Sequence, residues 1–105
     1  MEIDSIVIVS LLAPKEKIWG RLVSLTQAGI TIQGIDLNAF DDWVSQVLDA
    51  EPGVVTLATV FYPMLRVERI AQDEPQGEIP SLAQRFSKRI GISLLDYLRM
   101  PRKYG

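Results

Sequence analysis

A glycine sits in the middle of the strand-like run Lys17–Ile35, KIWGRLVSLTQAGITIQGI, and it restricts the folds open to this chain more than any other feature. In an extended reading Ile18, Gly20, Leu22 and Ser24 fall on one face. Trp19, Arg21, Val23 and Leu25 fall on the other. A glycine inside a strand weakens a flat sheet, and its usual reason is a sharp bend or a close backbone approach. A strand bent about Gly20 can belong to both halves of a small closed barrel.

The flanking segments extend the pattern. Ser5 to Leu12 is a β-branched apolar run suited to a strand covered on both sides, and Ala13-Pro14-Lys15-Glu16 is its turn. Thr26 to Gly29 makes the next turn, and Gly29 to Ile35 alternates as a third strand. Three strands with short connections predict an antiparallel meander. The period then changes to about 3.6: Phe40, Trp43, Val44, Val47 and Leu48 form one stripe down Ala39–Ala50, with Asn38 as N-cap. Pro52-Gly53 ends that helix. Val54 to Tyr62, VVTLATVFY, predicts a long fourth strand, and Leu65 to Ile70 a shorter fifth after the turn at Pro63-Met64.

Ala71 to Glu78 is polar and turn-rich, the composition of a linker. Ser81 then caps a helix carrying Leu82, Phe86 and Ile90. Gly91 stops it, and Ser93 opens a last helix with Leu94, Leu95, Tyr97 and Leu98.

The 105 residues match one domain, and no run reaches the roughly 18 apolar residues of a membrane span, so no membrane partner is expected. The first residues are acidic where an export signal needs bases, and Ile6 to Ala13 reads as a strand. The chain has no cysteine and no histidine. That removes disulfides, thiol nucleophiles, the commonest general base and the commonest metal ligand. A non-catalytic protein without cofactor or metal is expected, in a cytoplasmic setting.

Ile18-Trp19-Gly20-Arg21-Leu22 looks like the apolar-x-Gly-x-apolar centre of the second strand of Sm-like barrels. Val23-Ser24-Leu25-Thr26-Gln27 resembles the run into the RNA-facing loop of bacterial members of that family. Val60-Phe61-Tyr62, a turn and Val67 resemble its second motif. The resemblance covers Ser5 to Ile70 apart from the inserted helix. It implies rings in which the fourth strand of one subunit pairs with the fifth of the next. It also implies an RNA site, but here Pro63 and Met64 stand where the family has lysine and histidine, and Ala28 stands where it has a stacking aromatic. Gln27 and Tyr62 are the two residues of that site that carry over.

Charge is unevenly spread. Residues 82–105 hold Arg85, Lys88, Arg89, Arg99, Arg102 and Lys103 against Asp96, a net of +5. The first 81 residues hold five basic and twelve acidic groups, a net of −7. The tail reads either as a contact for nucleic acid or an acidic partner, or as a solvated helix face. A helix-turn-helix over Leu82–Leu98 would need a recognition helix more polar than LLDYL. Asp41 and Asp42, with Asp36 nearby, are oxygen donors of the kind magnesium takes, or dipole-favoured residues of a helix start. Trp19 and Trp43 read as lining of an apolar pocket, or as core, with Trp43 anchoring the inserted helix on the barrel.

The sequence thus predicts a mainly β protein: a five-stranded antiparallel Sm-like barrel over residues 1–78, with a helix inserted at 38–51, and a helical extension over 79–105. The expected function is a self-assembling scaffold that binds another protein, a homo-oligomer joined through Val60, Phe61, Leu65 and Val67. The alternative is an RNA-binding ring using Gln27, Tyr62, Arg85, Lys88 and Arg89. RNA binding is then expected to be weak, near the non-specific range of roughly 10⁻⁴–10⁻⁶ M.

Overall fold

The fold is taken from a computed structural model that describes every residue except Pro52 and residues 101–105. Five strands form one antiparallel sheet: β1 (Ile6–Leu11), β2 (Glu16–Leu25), β3 (Gly29–Asp36), β4 (Ala58–Pro63) and β5 (Val67–Gln72), in the order β4-β3-β2-β1-β5. Among the described residues three α-helices accompany them: α1 (Phe40–Asp49), α2 (Leu82–Ile90) and α3 (Leu94–Arg99). The chain divides into two compact units. One comprises Met1–Ala39 and Leu57–Gln72; the other comprises Phe40–Thr56 and the chain from Asp73 onward.

In the sheet unit, alternation places Val7, Val9 and Leu11 of β1, Ile18 and Leu22 of β2, and Ile30 and Ile32 of β3 on one buried face. Tyr62, Val67 and Ile70 pack against that cluster from the two outer strands. Gly20 is paired with Gly34 across β2 and β3. A Cβ on Gly20 would lie within 3.0 Å of the Gln33 carbonyl and of the Gly34 Cα, and one on Gly34 would meet the Trp19 carbonyl equally closely. Two facing glycines let the backbones approach where any side chain would force them apart.

The opposite face is tied by polar groups. Arg21 donates through Nη1 to Asp4 and through Nε to Gln33 Oε1 at 3.0 Å, and Gln33 Nε2 donates to the Leu57 carbonyl at 3.4 Å. Gln33 is buried, so these bonds supply partners that water cannot.

The sheet is open. β4 and β5 are its two edges, and among the described residues no ladder joins them, so the closed barrel expected from the sequence is not formed. The mid-strand glycine serves the close approach of β2 to β3, which does not require the outer strands to meet. Two boundaries also differ from the sequence reading. β4 begins at Ala58, because its ladder to β3 ends at the pair Gly34–Ala58. Before it, Val54 donates to the Glu51 carbonyl in a turn and Gly53 is left-handed, with φ 84°. β5 begins at Val67, because Met64–Arg66 closes into a short 3₁₀ turn, with Val67 N–H donating to the Met64 carbonyl. Leu65 therefore belongs to that turn and not to a strand.

The helical unit is organised by its rings. Phe86 is fully buried, stacked on Trp43 at 5.3 Å between centroids and edge-on to Tyr97 at 5.4 Å. Trp43 meets Tyr97 edge-on at 6.3 Å. The Trp43 ring of the inserted helix thus packs with α2 and α3, contacts its apolar stripe alone did not identify. The Tyr97 hydroxyl donates to the Val55 carbonyl. Burial raises the Tyr97 pKa above its usual value.

Local signals fix the helix ends. Ser81 and Gln84 form a reciprocal capping box on α2, and the Asp73 carboxylate also accepts from Leu82 N–H and Ala83 N–H, each at 2.9 Å. Gly91 ends α2 in the left-handed region at φ 96°, and the Ser93 side chain caps α3. No helix among the described residues is long and apolar enough to cross a membrane.

Candidate functional site

The residues expected at an interface cluster on the β4 edge and the turn that follows it. Val60 is 37% exposed, Phe61 52% and Leu65 95%. Large apolar side chains this open on an edge strand and its turn are normally covered by something. β4 carries no charged residue, and no bulge interrupts its ladder to β3. Val67 differs from the other three: it is half-buried and packs against the sheet core.

β5, at the other edge, is protected differently. Glu68 and Arg69 are exposed on it, and its register with β1 shifts between Ser10 and Leu11. Charge and irregularity discourage indiscriminate strand pairing. Both fall in the first half of β5, leaving residues 70–72 uncharged and in regular register with β1.

Arg66 holds the β4–β5 turn in place. Its Nε donates to the Leu12 carbonyl at 3.0 Å, and its Nη2 donates to the Pro14 carbonyl at 3.1 Å and to Glu16 Oε2 at 3.0 Å. The guanidinium also lies 5.8 Å from the centre of the Tyr62 ring. One side chain therefore fastens the turn to the β1–β2 connection. No local pattern announces this contact, because the partners are 50 to 54 residues away. Arg66→Ala is expected to cost about 1–2 kcal/mol, most of it from lost bonds to backbone carbonyls, since the half-open ion pair with Glu16 adds little. Chemical denaturation measures it; Arg66→Lys should recover only part of the loss, because an ammonium cannot span three acceptors.

Gln27 and Tyr62, the candidate RNA contacts of the sheet unit, have distinct settings. Gln27 is exposed at the β2–β3 turn, where Gln27, Ala28, Pro63, Met64 and Leu65 line a shallow concavity of about 420 Å³. The structure thus joins Gln27 to the β4–β5 turn. The lining there carries neither a cation nor an aromatic ring. Tyr62 is half-buried on β4 opposite Ile30, and its pKa is raised, mainly by burial, with Glu16 adding to the rise and Arg66 opposing it.

Arg85, Lys88 and Arg89 lie on the exposed side of α2 in the helical unit. Arg85 pairs with Asp41 at 2.8 Å and sits 5.2 Å from the Phe40 ring centre. Arg89 donates to Ser45 Oγ at 3.1 Å. Two of the three cations thus fasten α2 to α1, and Asp41 is engaged with Arg85. Arg102, Lys103 and Tyr104 lie outside the described residues. Among the described residues no three metal-ligating side chains gather.

Comparison of the chain with protein-family models, with curated proteins and with solved structures returned no match in any of the three. The Sm-like resemblance therefore rests on the residues that carry it.

Proposed function

We propose that this protein is a non-catalytic, self-assembling scaffold of Sm-like type that presents its surface to another protein. Copies join edge to edge, β4 of one against β5 of the next. The observation that carries this reading is that β4 and β5 are the edge strands of the sheet, each with one side unpaired among the described residues. Phe61 and Leu65 are open to solvent on and beside β4. β4 and β5 have the same length, six residues each. A head-to-tail contact of this kind closes into a ring when its rotation divides a full turn. Leu65 is the residue most available to a neighbour, since its side chain has almost no contact within its own chain.

The RNA-binding alternative is the weaker of the two, because Arg85 and Arg89 are engaged on α2 and the Gln27 concavity lacks charge and rings.

Sedimentation at tens of micromolar tests the scaffold reading. A defined oligomer is expected, with Leu65→Glu and Phe61→Lys each weakening association by about tenfold or more. Both positions are exposed, so the variants should keep the wild-type melting temperature within a few degrees. A wild-type monomer at that concentration would overturn the reading, as would an oligomer indifferent to both changes.

A further inference from the structure

A second concavity in the sheet unit, also about 420 Å³, is of a different kind. Its chemistry follows from the register. Ser10 of β1 is paired with Lys17 of β2 on one side and with Arg69 of β5 on the other. The three side chains form a cross-strand row on the face opposite Val9 and Leu11. Ser10 is only 8% exposed and lines the concavity, whereas Lys17 and Arg69 are exposed on either side of it. Lys15, from the β1–β2 connection, is a third exposed cation of the lining.

Acidic groups line it too, and they decide what could fit. Glu16 is held by Arg66 at 3.0 Å, and the Asp36 carboxylate accepts from Asn38 N–H at 2.8 Å. Those two acids already have partners in the protein. Glu68 is exposed and free of ion pairs, as are Lys15, Lys17 and Arg69. Three cations without ion pairs and a largely buried hydroxyl therefore face two carboxylates without ion pairs, which leaves a net charge of +1 among them. Of the two, Glu68 is open, and Asp36 already accepts from Asn38 N–H. A bare anion would answer the cations but leave Glu68 repelled. A phosphate monoester with a hydroxyl-bearing body answers both, with oxygens for the cations and Ser10, and O–H donors for the carboxylate. The volume lies within the usual range of small-molecule sites, roughly 300–1,000 Å³.

We propose that this concavity binds a small phosphate monoester of the sugar- or nucleoside-phosphate class. Its phosphoryl group sits between Lys17 and Arg69 over Ser10, and its hydroxyls face Glu68. The site shares Glu68 and Arg69 with the β5 edge but none of Val60, Phe61 and Leu65. Lys17 on β2 lies clear of either edge, so Lys17→Gln tests the ligand without touching the assembly strands.

The test titrates the full chain with ribose 5-phosphate and with AMP, reading amide chemical shifts, with ribose and inorganic phosphate as the partial probes. Saturable binding with a dissociation constant below about 1 mM is expected for a phosphate ester, with perturbed amides at Ser10, Lys17 and Arg69. Lys17→Gln and Arg69→Gln should each weaken it by about tenfold, the loss of one charge-assisted contact. Both residues are exposed, and an unchanged melting curve shows that the fold survives. Ribose should bind far more weakly than its phosphate, and inorganic phosphate more weakly than the esters. No saturation by either ester, indifference to both substitutions, or shifts confined to other residues would each overturn the proposal. So would tighter binding of a single-stranded oligonucleotide than of AMP, since its diester phosphates would then be the true ligand.

Discussion

Gly20→Val is expected to lower the stability of the fold by about 3 kcal/mol, and Gly20→Ala by nearly as much. At Gly20 the crowding begins with the Cβ itself, which would meet backbone of the neighbouring strand within 3.0 Å. The atoms it meets belong to Gln33 and Gly34, and they cannot swing aside as a flexible side chain would. Relief requires β2 and β3 to separate at the Gly20–Gly34 pair, beside Ile18, Leu22 and Ile32 of the buried cluster. Alanine is thus the informative variant, since it adds the clashing atom and almost no bulk. For a chain of this size about 3 kcal/mol corresponds to a fall in melting temperature on the order of 12–24 °C. Gly34→Ala, from the facing strand, should behave alike, because its Cβ would meet the Trp19 carbonyl. A Gly20→Ala protein melting within two degrees or so of wild type would show that the strands have room there and that the close approach is wrong.

That Gly20 has a backbone role was legible in the sequence, because a glycine inside a strand has few explanations. Of the bend and the close approach, the structure shows the close approach. The role of Gly34 was not legible, although it is half of the same device. Its importance depends on register, and register is set by the turn at Thr26–Ala28 and by which faces are buried. The same division holds elsewhere. Ser81, Ser93 and Gly91 announced their helix ends, because capping is a contact among residues a few positions apart. The run VVTLATVFY announced extended backbone, but not that its first half lacks a ladder. How far a strand pairs depends on where its partner turns away, and β3 gives up its pairing at Gly34.

The candidate site was legible in part for the same reason. Val60, Phe61, Leu65 and Val67 are expected at an interface because the fourth strand reads as a long apolar edge and the resemblance pairs it with the fifth. The first three are exposed, and Val67 is half-buried against the core. Arg66 could not be found by inspection, since its acceptors at Leu12, Pro14 and Glu16 become neighbours only when β5 pairs with β1. The row Lys17–Ser10–Arg69 was equally hidden, being a property of three strands and visible in none of them. Basic residues on α2 drew attention in the sequence because they are close together. In the structure Arg85 and Arg89 mainly fasten one helix to another.

Phe86→Ala is expected to be the most damaging single truncation in the helical unit, at about 3–5 kcal/mol. Phe86 is fully buried, and it is the ring common to the stacked contact with Trp43 and the edge contact with Tyr97. Truncation removes the transfer energy of a phenyl group, opens a cavity between three helices, and abolishes two ring pairs worth about 0.5–1.5 kcal/mol each beyond their area. The helices cannot replace this by their own propensity. α2 has nine residues and α3 six, below the roughly 12–15 at which an isolated helix becomes even marginal in water. Their order therefore depends on the rings, and protection of their amides against hydrogen exchange should fall together with that of α1. Phe86→Leu, which keeps most of the volume but no ring, separates the two contributions and should retain over half of the lost stability. Tyr97→Phe, which removes only the hydroxyl bond to the Val55 carbonyl, should cost about 1 kcal/mol. If Phe86→Ala leaves exchange in α1 and α3 unchanged, Phe86 does not organise the helical unit, and the Trp43–Tyr97 contact suffices without it.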